Sequence, residues 1–502
     1  MEQQVPLCQS KVMPSRFTLR AAGRALACAF AATLGLGAPA HGAGFYFPDL
    51  GPKQLGRGAT GVAGPGDLSA LAYNPAGLAL LPEQGRLFLQ LGASASHQPV
   101  SYTRSGGCGL SQRPCAAVDD STGWYPNTLS GAAVDLGLAH PALAGVVFAV
   151  GLHGPSALGS HRYPDPRLAA SAADVSATAP QRYSLISSEN LILYPAFALA
   201  MRLTSWLDAG LSLDLRYFHI KQTQSIFGIG ELGGDLPAFD AIATFDAVQT
   251  MAPVLGGGLI AHLPQLPGLS LGLSGRLRTP VSADGTLDIE VPALASALSL
   301  TVQGNRAHLA FDLPSEARLG LQYQTELGLV AADLTWEGWG VLKGITVTPQ
   351  GVRLVTGTGA NQTVTTVDPI VLKKDFHGAF SGRVGGEARL PGAWNSALKL
   401  VLRAGVLGET SAIPDQTLQV DFVDGPRLAV TGGASLHLGL VELTVGYAHY
   451  LTSTRTVTAS AVSRTNPYPG APPYIIGNGA YTTSLDSLAL QASWATGALE
   501  GK

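Results

Sequence analysis

Apolar and polar residues alternate with a period of two in a series of short segments that begins near residue 85. The stretch "VELTVGYAH" at 441–449 is a clear example, and "ARLGLQY" at 317–323, "LKLVLRAGV" at 398–406 and "AGLSLDLRY" at 209–217 repeat the pattern. Successive side chains of a β-strand point to opposite faces of the sheet. Each segment therefore predicts a strand with one apolar and one polar face.

The connections between these strands alternate in length. Tight turns are predicted near 139–143, 203–206, 264–268, 325–327, 391–395 and 438–440. Long irregular stretches are predicted at about 98–124, 155–182, 223–243, 281–306, 343–373, 408–424 and 457–478. Together these connections join 14 strands. An even number of antiparallel strands, with short turns at one rim and long loops at the other, is typical of an outer-membrane β-barrel.

Two other architectures compete with the barrel. A soluble β-sandwich also alternates, but charged residues make up only 13% of the chain, which is few for so many outward strand faces. A helical membrane span could be argued over 251–275, which lacks Asp, Glu, Lys and Arg, but Pro253, Pro264 and Pro267 interrupt it and favour a hairpin. We therefore predict an all-β, 14-stranded antiparallel transmembrane barrel over residues 85–494.

Residues 43–84 precede the first strand and do not alternate. They combine the glycine-rich "GRGATGVAGPGD" with "NPAGLALLP", whose proline residues exclude one long helix. Fourteen strands enclose a lumen wider than the side chains of the wall can fill. This compact, partly apolar segment therefore predicts a plug, or hatch, inside the barrel.

The first 42 residues have the features of a signal peptide. Four basic residues precede an uncharged run at 25–37, and small residues follow it. The run is too short for a membrane-spanning helix. Cys108 and Cys115 remain in the mature chain, and in an exported protein they predict a disulfide, because a metal site would need further ligands nearby. The formal net charge of −3 and the lack of a basic patch exclude nucleic acid as a partner.

With these features in place, the chain resembles the FadL-type transporters of long-chain fatty acids and other hydrophobic compounds. The resemblance rests on the mature start "AGF", the glycine-rich segment, "DLSALAYNPAGLALL" and the count of strands. "DLTWEGW" at 333–339 is similar to an Asp-x-x-Trp-x-x-Trp segment of a mid-barrel strand in that family. "GLHGP" at 151–155 falls where family members end the third strand.

The resemblance implies that hydrophobic ligands are captured by outer loops, pass to a lumenal pocket and leave sideways beside the hatch. Carried over to this chain, Asn74, Pro75 and Ala76 would pack the hatch against a gap at the end of the third strand. Gly154 and Pro155 would form the kink that opens this gap, because Pro cannot donate to the ladder and Gly tolerates the bend. In the same way, Phe45 would lie near the lumenal ligand pocket.

The chain departs from the family at its C-terminus. Barrels of this type commonly finish on an aromatic residue that is recognised during assembly, whereas here Trp494 closes the last alternating run and residues 495–502 follow as a tail. We expect the barrel-assembly machinery as a partner, together with outer-membrane lipid and lipopolysaccharide. The expected location is the outer membrane of a Gram-negative bacterium, and the expected state is a monomer.

Inward-facing basic residues are candidates for contact with a ligand carboxylate. These are Arg216, Arg318 and Arg403, and the alternative is a network of lumen charges with Glu316 and Glu442. The loop segments 226–245 and 291–300 are the most apolar of the long loops. They predict either a ligand-capture surface or a closure of the barrel top by loops packing on each other.

Sequence patterns that would indicate an enzyme lack the structural context that their chemistry needs. "GLSLG" at 268–272 lies inside an alternating strand rather than at a strand-to-helix turn. "GIGELG" at 228–233 is followed by no suitable helix and acidic partner. We therefore predict a channel for passive uptake of hydrophobic molecules, with no enzymatic activity, cofactor or metal. The alternatives are a general porin for polar solutes and a structural or adhesin barrel.

Overall fold

The computed structural model describes Gly44, Tyr46 and residues 50–108, 113–154, 160–169, 172–227, 235, 237–292, 299–390, 398–465 and 473–496. Fourteen antiparallel strands close into a barrel, because β1 pairs with β2 on one side and with β14 on the other. The strands are β1 Leu87–His97, β2 Tyr125–Asp135, β3 Val146–His153, β4 Ser187–Thr204, β5 Leu207–Phe227, β6 Asp240–His262, β7 Leu269–Arg276 and Thr279–Glu290, β8 Arg306–Leu313 and Glu316–Thr325, β9 Gly328–Glu337 and Gly344–Gln350, β10 Ile370–Lys373 and Ala379–Leu390, β11 Leu398–Glu409, β12 Arg427–Leu438, β13 Val441–Thr452 and β14 Leu485–Ala495. The predicted fold class is confirmed.

The alternation in the sequence becomes an outer apolar face and an inner polar face. In β13, Leu443 and Val445 are exposed on the outside, while Glu442 and Thr444 are buried in the lumen. Closure matters for such a wall, because an unpaired backbone amide in hydrocarbon costs several kcal/mol. Among the described residues, no helix combines the length and the apolar character needed to cross a membrane.

The wall is taller on one side than on the other. β5 and β6 have 21 and 23 residues, whereas β1 and β14 have 11 each. The predicted loops at 281–306 and 343–373 are therefore partly wrong, because β7 runs to Glu290 and β9 resumes at Gly344. Outward positions there are polar, as at Asp284 and Asp288, because the wall continues above the apolar belt. Because the outer face of these strand extensions is polar, the alternation of apolar residues in the sequence does not reveal them.

The loops add short elements above the barrel. Further strands are Val100–Arg104, Gly107–Cys108, Arg113–Pro114, Val118–Asp119, His161–Arg162, Thr301–Gln303, Arg353–Thr356, Thr363–Thr366, Arg455–Val457 and Gly479–Thr483. Short helices in the loops are Pro166–Leu168, Ala172–Thr178, Pro237–Phe239, Gly359–Asn361 and Asp415–Thr417. Trp339–Val341 lies between the two parts of β9, and Leu136–Leu138 and Pro141–Leu143 lie in the turn between β2 and β3 at the opposite rim. A disulfide joins Cys108 to Cys115 in the first loop.

Candidate functional site: the plug and the lumen above it

The segment before β1 is buried inside the barrel. It forms α1 Pro52–Gly56, α2 Ala70–Tyr73 and a 3₁₀ helix, Pro75–Glu83. Nearly every residue from 51 to 79 is buried. Pro52 and Pro75 are the first residues of two of these helices, where the missing N–H of proline leaves no hydrogen bond unmade. The prolines thus divide the segment into short helices that fit inside the lumen. We call residues 50–84 the plug.

Glycines of the wall let the plug backbone approach the wall backbone. They face the plug from β3, from β5 to β8 and from β10 to β13, at Gly151, Gly210, Gly258, Gly272, Gly320, Gly385, Gly405, Gly433 and Gly446. A Cβ on Gly446, for example, would lie 3.0 Å from both the Cα and the carbonyl carbon of Pro52. The glycine content of the chain, 62 residues, thus serves close packing as well as turns.

Side chains of the wall complete the docking of the plug. Asp333 of β9 accepts hydrogen bonds from the Gly61 and Val62 amides at 2.7 and 3.1 Å. Thr431 of β12 accepts from Gly58 N at 2.8 Å. Charge-assisted hydrogen bonds to backbone amides are roughly twice as strong as neutral ones, so Asp333 is a principal anchor of the plug.

The Asn-Pro-Ala triplet docks against β5, β6 and β7. Asn74 Nδ2 donates to the carbonyl oxygens of Val62 at 2.7 Å and of Leu259 at 3.1 Å, while its Oδ1 accepts from Ala76 N at 3.1 Å. Gly210 of β5 makes room for the Pro75 and Ala76 backbone. One amide side chain therefore ties the plug to itself and to the wall.

The contact predicted between this triplet and the end of the third strand stays a prediction. β3 meets the plug at Leu71, whose side chain fills the space left by Gly151, and along the 3₁₀ helix that begins at Pro75. Gly210 and Gly258 give the triplet itself space on β5 and β6. Gly154 does follow the last residue of β3, and its carbonyl oxygen accepts a hydrogen bond from Asn127 Nδ2 of β2. Pro155 lies outside the described residues.

A layer of buried charges lies above the plug. Asp214 of β5 is 3.2 Å from Arg276 of β7 and 3.7 Å from His153 of β3. Arg318 of β8 bonds Glu316 and a plug carbonyl. A cavity of about 50 Å³ lies among these groups, lined by Tyr46, Leu50, Ala72, Tyr73, His153, Arg276, Glu316, Arg318, Glu337 and Arg383.

The three predicted carboxylate partners are bonded within the protein. Arg216 donates to Thr279 Oγ1 and Gln249 Oε1, both at 2.9 Å. Arg403 donates to Ser435 Oγ at 2.6 Å and to Glu387 Oε2 at 3.0 Å, and its other end is 3.8 Å from Glu442. Arg318 bonds Glu316 as described above. The three arginines therefore do not converge on one point, and the alternative of a lumen charge network describes Arg318 and Arg403.

The loop-side half of the lumen contains a large apolar cluster. Wall residues and inserted loop residues form one large cluster that includes Phe218, Phe311, Trp339, Phe376 and Leu418. A cavity of about 40 Å³ within it is lined by Ile220, Gln222, Gln224, Ala243, Phe245, Leu287, Leu309, Ile345, Val347, Ile370 and Leu372. None of the described residues that line this cavity is charged.

The motif at 333–339 distributes its side chains among three environments. Asp333 anchors the plug, Trp336 is 38% exposed on the outer face, and Trp339 is fully buried in the lumen. The Trp339 ring lies 5.0 Å from the Tyr46 ring, and its Nε1 donates to Glu337 Oε2 at 2.7 Å. Phe45 itself lies outside the described residues, but its neighbour Tyr46 reaches the boundary between the charged and apolar layers.

Loops close the lumen from above through buried hydrogen bonds. The Tyr102 and Tyr481 hydroxyls donate to carbonyl oxygens of Ile476 and Gly477 at 2.9 and 2.8 Å, and burial raises the pKa of Tyr102 to about 12. Burial also raises the pKa of Asp424 to about 6, although it accepts from Ala412 N at 3.0 Å. These contacts come from loops other than 226–245 and 291–300, so the two roles predicted for those segments stay predictions.

A wide vestibule lies on the turn side of the plug. Its volume is about 790 Å³, and its lining is rich in charge, with Lys53, Arg57, Glu387, Arg403 and Glu442 among the residues. Lys53 of the plug and Glu442 of the wall form an ion pair of 2.6 Å there. The lumen thus passes from an apolar layer through a charged layer and the plug to a polar vestibule.

Sequence reasoning missed the ring of wall glycines and the role of Asp333. The available signal was the position of each glycine in the alternation, because Gly446 and Gly385 stand at inward positions of regular strands. A glycine there leaves room for something that enters the lumen.

No profile of a known protein family matches the chain, and no curated protein matches it. Solved structures match over nearly their whole length. A FadL homologue of Pseudomonas aeruginosa has a TM-score of 0.70 at 14% identity, covering 90% of this chain and 99% of that one. The toluene transporters TodX of P. putida and TbuX of Ralstonia pickettii have TM-scores of 0.59 and 0.56 at 17% and 16% identity, covering 90% and 89% of this chain and 99% and 98% of theirs. The fold implied by the resemblance is therefore confirmed.

Proposed function

We propose that the chain is a channel for passive uptake of hydrophobic molecules across the outer membrane of a Gram-negative bacterium. The proposal is carried by the layered lumen, in which an apolar half lies above a plug that is bonded to the wall. Burying a methylene group is favourable by about 0.8 kcal/mol, so an apolar layer attracts a poorly soluble molecule without an energy source. The fold shared with transporters of hydrophobic compounds supports the same assignment.

The plug argues against a general porin. A polar solute would need a continuous water-filled path, whereas plug backbone lies against glycines of the wall on half of the strands. Passive uptake of a hydrophobic molecule between apolar surfaces needs neither an open, water-filled pore nor a chemical step.

The ligand that fits best is a neutral hydrocarbon. Arg216, Arg318 and Arg403 all bond to protein groups, so a fatty-acid carboxylate would have to displace those partners. Removing a partner from a buried charge is costly. The apolar cavity around Phe245 and Leu309 offers a neutral molecule carbon contacts and the amides of two glutamines. Long-chain fatty acids are the second ligand class, and the structurally similar TodX and TbuX are toluene transporters.

The route follows from the layers. The ligand enters between the outer loops, passes through the apolar cluster and leaves through the wall, because the charged layer and the plug oppose its descent. The end of β3 at Gly154 is one place for such an exit, since the ladder between β3 and β4 ends at the pair His153 and Tyr194.

Uptake of radiolabelled toluene and oleate by a deletion strain, with and without the restored protein, tests this function. Leu309→Gln places a polar group in the apolar cavity and should reduce toluene uptake severalfold. Ala310→Gln, the adjacent residue on the outer face, is the matched control and should leave uptake unchanged. Equal uptake with and without the protein, or a large steady conductance of purified protein in a planar bilayer, would refute the proposal.

A further inference from the structure

The plug is held differently beside β14, β1 and β2. Here the wall presents side chains in place of plug-facing glycines: Gln90 Oε1 accepts from Leu68 N at 3.0 Å, and Gln491 Nε2 donates to Asp67 Oδ2 at 3.2 Å. The glycines of β1 and β2, Gly92 and Gly131, face neighbouring strands. On this side, the Gln90 and Gln491 side chains can change their hydrogen bonds to the plug without any movement of the wall backbone.

The ladder between β1 and β2 is interrupted at the same place. Gln90 pairs with Gly131 and Ala93 with Thr128, while Leu91 and Gly92 are skipped in the pairing between them. Gly92 N donates to Ser130 Oγ at 3.1 Å, and Gly92 O accepts from Thr128 Oγ1 at 2.9 Å. Two hydroxyls thus replace strand-to-strand bonds. On its other edge, β1 pairs with β14 without a break.

A recess on the outer face lies over this seam. Its volume is about 660 Å³, and its lining includes both Gly92 and Ser130 of the seam. The remaining lining is mainly apolar, apart from Ser435, Thr444 and Gln491, and comes from β1 and β11 to β14. The recess is therefore continuous with the lipid-facing belt on one side and with the interrupted part of the β1–β2 ladder on the other.

We propose that the β1–β2 seam is a lateral exit distinct from the end of β3, and that the recess receives the transported apolar molecule as it leaves. The inference rests on the proposed function, because it needs a ligand in the lumen. The occupant is a neutral molecule without a charged group. Separating the strands here breaks few backbone bonds, because the Ser130 and Thr128 hydroxyls already satisfy Gly92 and bond each other at 3.1 Å. Because these hydroxyls belong to β2, opening the seam releases the Gly92 amide and carbonyl of β1, and this release is the main cost of opening in hydrocarbon.

A reversible staple tests the seam. Leu89→Cys with Ala132→Cys places two cysteines on paired, outward positions beside the interruption and leaves the Thr128 and Ser130 hydroxyls in place. Leu428→Cys with Leu451→Cys is the matched control, because these residues are also paired and outward but lie on the continuous β12–β13 ladder. We expect oxidation of the first pair to reduce the initial rate of toluene uptake at least fivefold, with recovery on reduction, and oxidation of the control pair to change nothing.

A second variant fills the recess without touching the ladder. Ala492→Trp faces the lipid and should lower uptake severalfold, whereas Ala404→Trp, a lipid-facing residue of β11 outside the recess, should not. Normal uptake in both the oxidised staple and Ala492→Trp would overturn the exit, as would a membrane lipid that co-purifies in the recess while Ala492→Trp transports normally. Absence of uptake by the unmodified protein would instead overturn the proposed function itself.

Discussion

Gly405 and Gly408 lie on the same strand, β11, and offer a direct test of how the plug is held. A Cβ on Gly405 would lie 2.5 Å from the carbonyl carbon of Arg57 and closer still to Gly58 N, whereas a Cβ on Gly408 would meet nothing within 4 Å. Gly405→Ala should therefore displace the plug, and Gly408→Ala should not.

The size of the effect follows from the contacts. To reach an ordinary separation, the plug backbone must move by about 1 Å at Gly58, which also breaks its 2.8 Å bond to Thr431. Overpacking costs about 1–3 kcal/mol and the lost hydrogen bond about 1 kcal/mol. Local opening of the plug should then become about 30- to 1,000-fold more frequent, since 1.4 kcal/mol corresponds to a factor of ten.

Hydrogen–deuterium exchange of plug peptides, read by mass spectrometry, measures this opening directly. Faster exchange should be confined to residues around 55–62 in Gly405→Ala, and planar-bilayer recordings should show brief openings that the unmodified protein lacks. If the two variants exchange at the same rate, the wall glycines do not hold the plug and the account of the docking ring is wrong.

Three further predictions concern single side chains. Asp333→Ala removes the acceptor of two plug amides and should raise plug exchange at least tenfold, as hydrogen bonds to a charged group contribute about 1.5–3 kcal/mol each; Asp486→Ala at the outer rim is the control. Trp339→Ala should lower stability towards urea unfolding by about 3–5 kcal/mol, whereas Trp336→Ala on the outer face should cost much less. The pKa of Asp424 in the folded protein, about 6, exceeds its ordinary value of 3.8, so the loop at 411–424 should lose about 3 kcal/mol of local stability as pH rises from about 4 to 6. Hydrogen–deuterium exchange of this loop measures the loss, and Asp424→Asn should not show the pH dependence.

The sequence was sufficient for the barrel and for the presence of a plug. Alternation is dictated by the contrast between lipid and lumen, so it survives in each strand wherever that contrast exists. It fails where the wall rises above the apolar belt, as at Asp284 and Asp288, because both faces then meet polar surroundings. Strand ends were therefore less predictable than strand number.

Individual contacts of the plug were less accessible, for a physical reason. Asn74 was predicted correctly to be a residue of the plug. Its contacts with the wall depend on which strands leave space for the plug, and Gly210 and Gly258 leave that space on β5 and β6, two and three strands away from β3. Arg216 likewise reads as a free inward charge until Thr279 and Gln249 are known to be its neighbours. Long-range register decides both cases, and alternation alone does not fix it.

The layered lumen explains how one barrel can be closed to water and still admit a hydrophobic molecule. The plug is closed towards the vestibule by backbone packing at glycines such as Gly385 and Gly446. Because this close packing has no low-energy alternative, we expect this part of the plug to stay in place during transport. Side-chain hydrogen bonds at Gln90 and Gln491 can exchange partners at little cost. Motion during transport should therefore concentrate on the β14–β1–β2 side of the plug, and exchange measured in the presence of toluene should rise near residues 67–69 before it rises near 56–58.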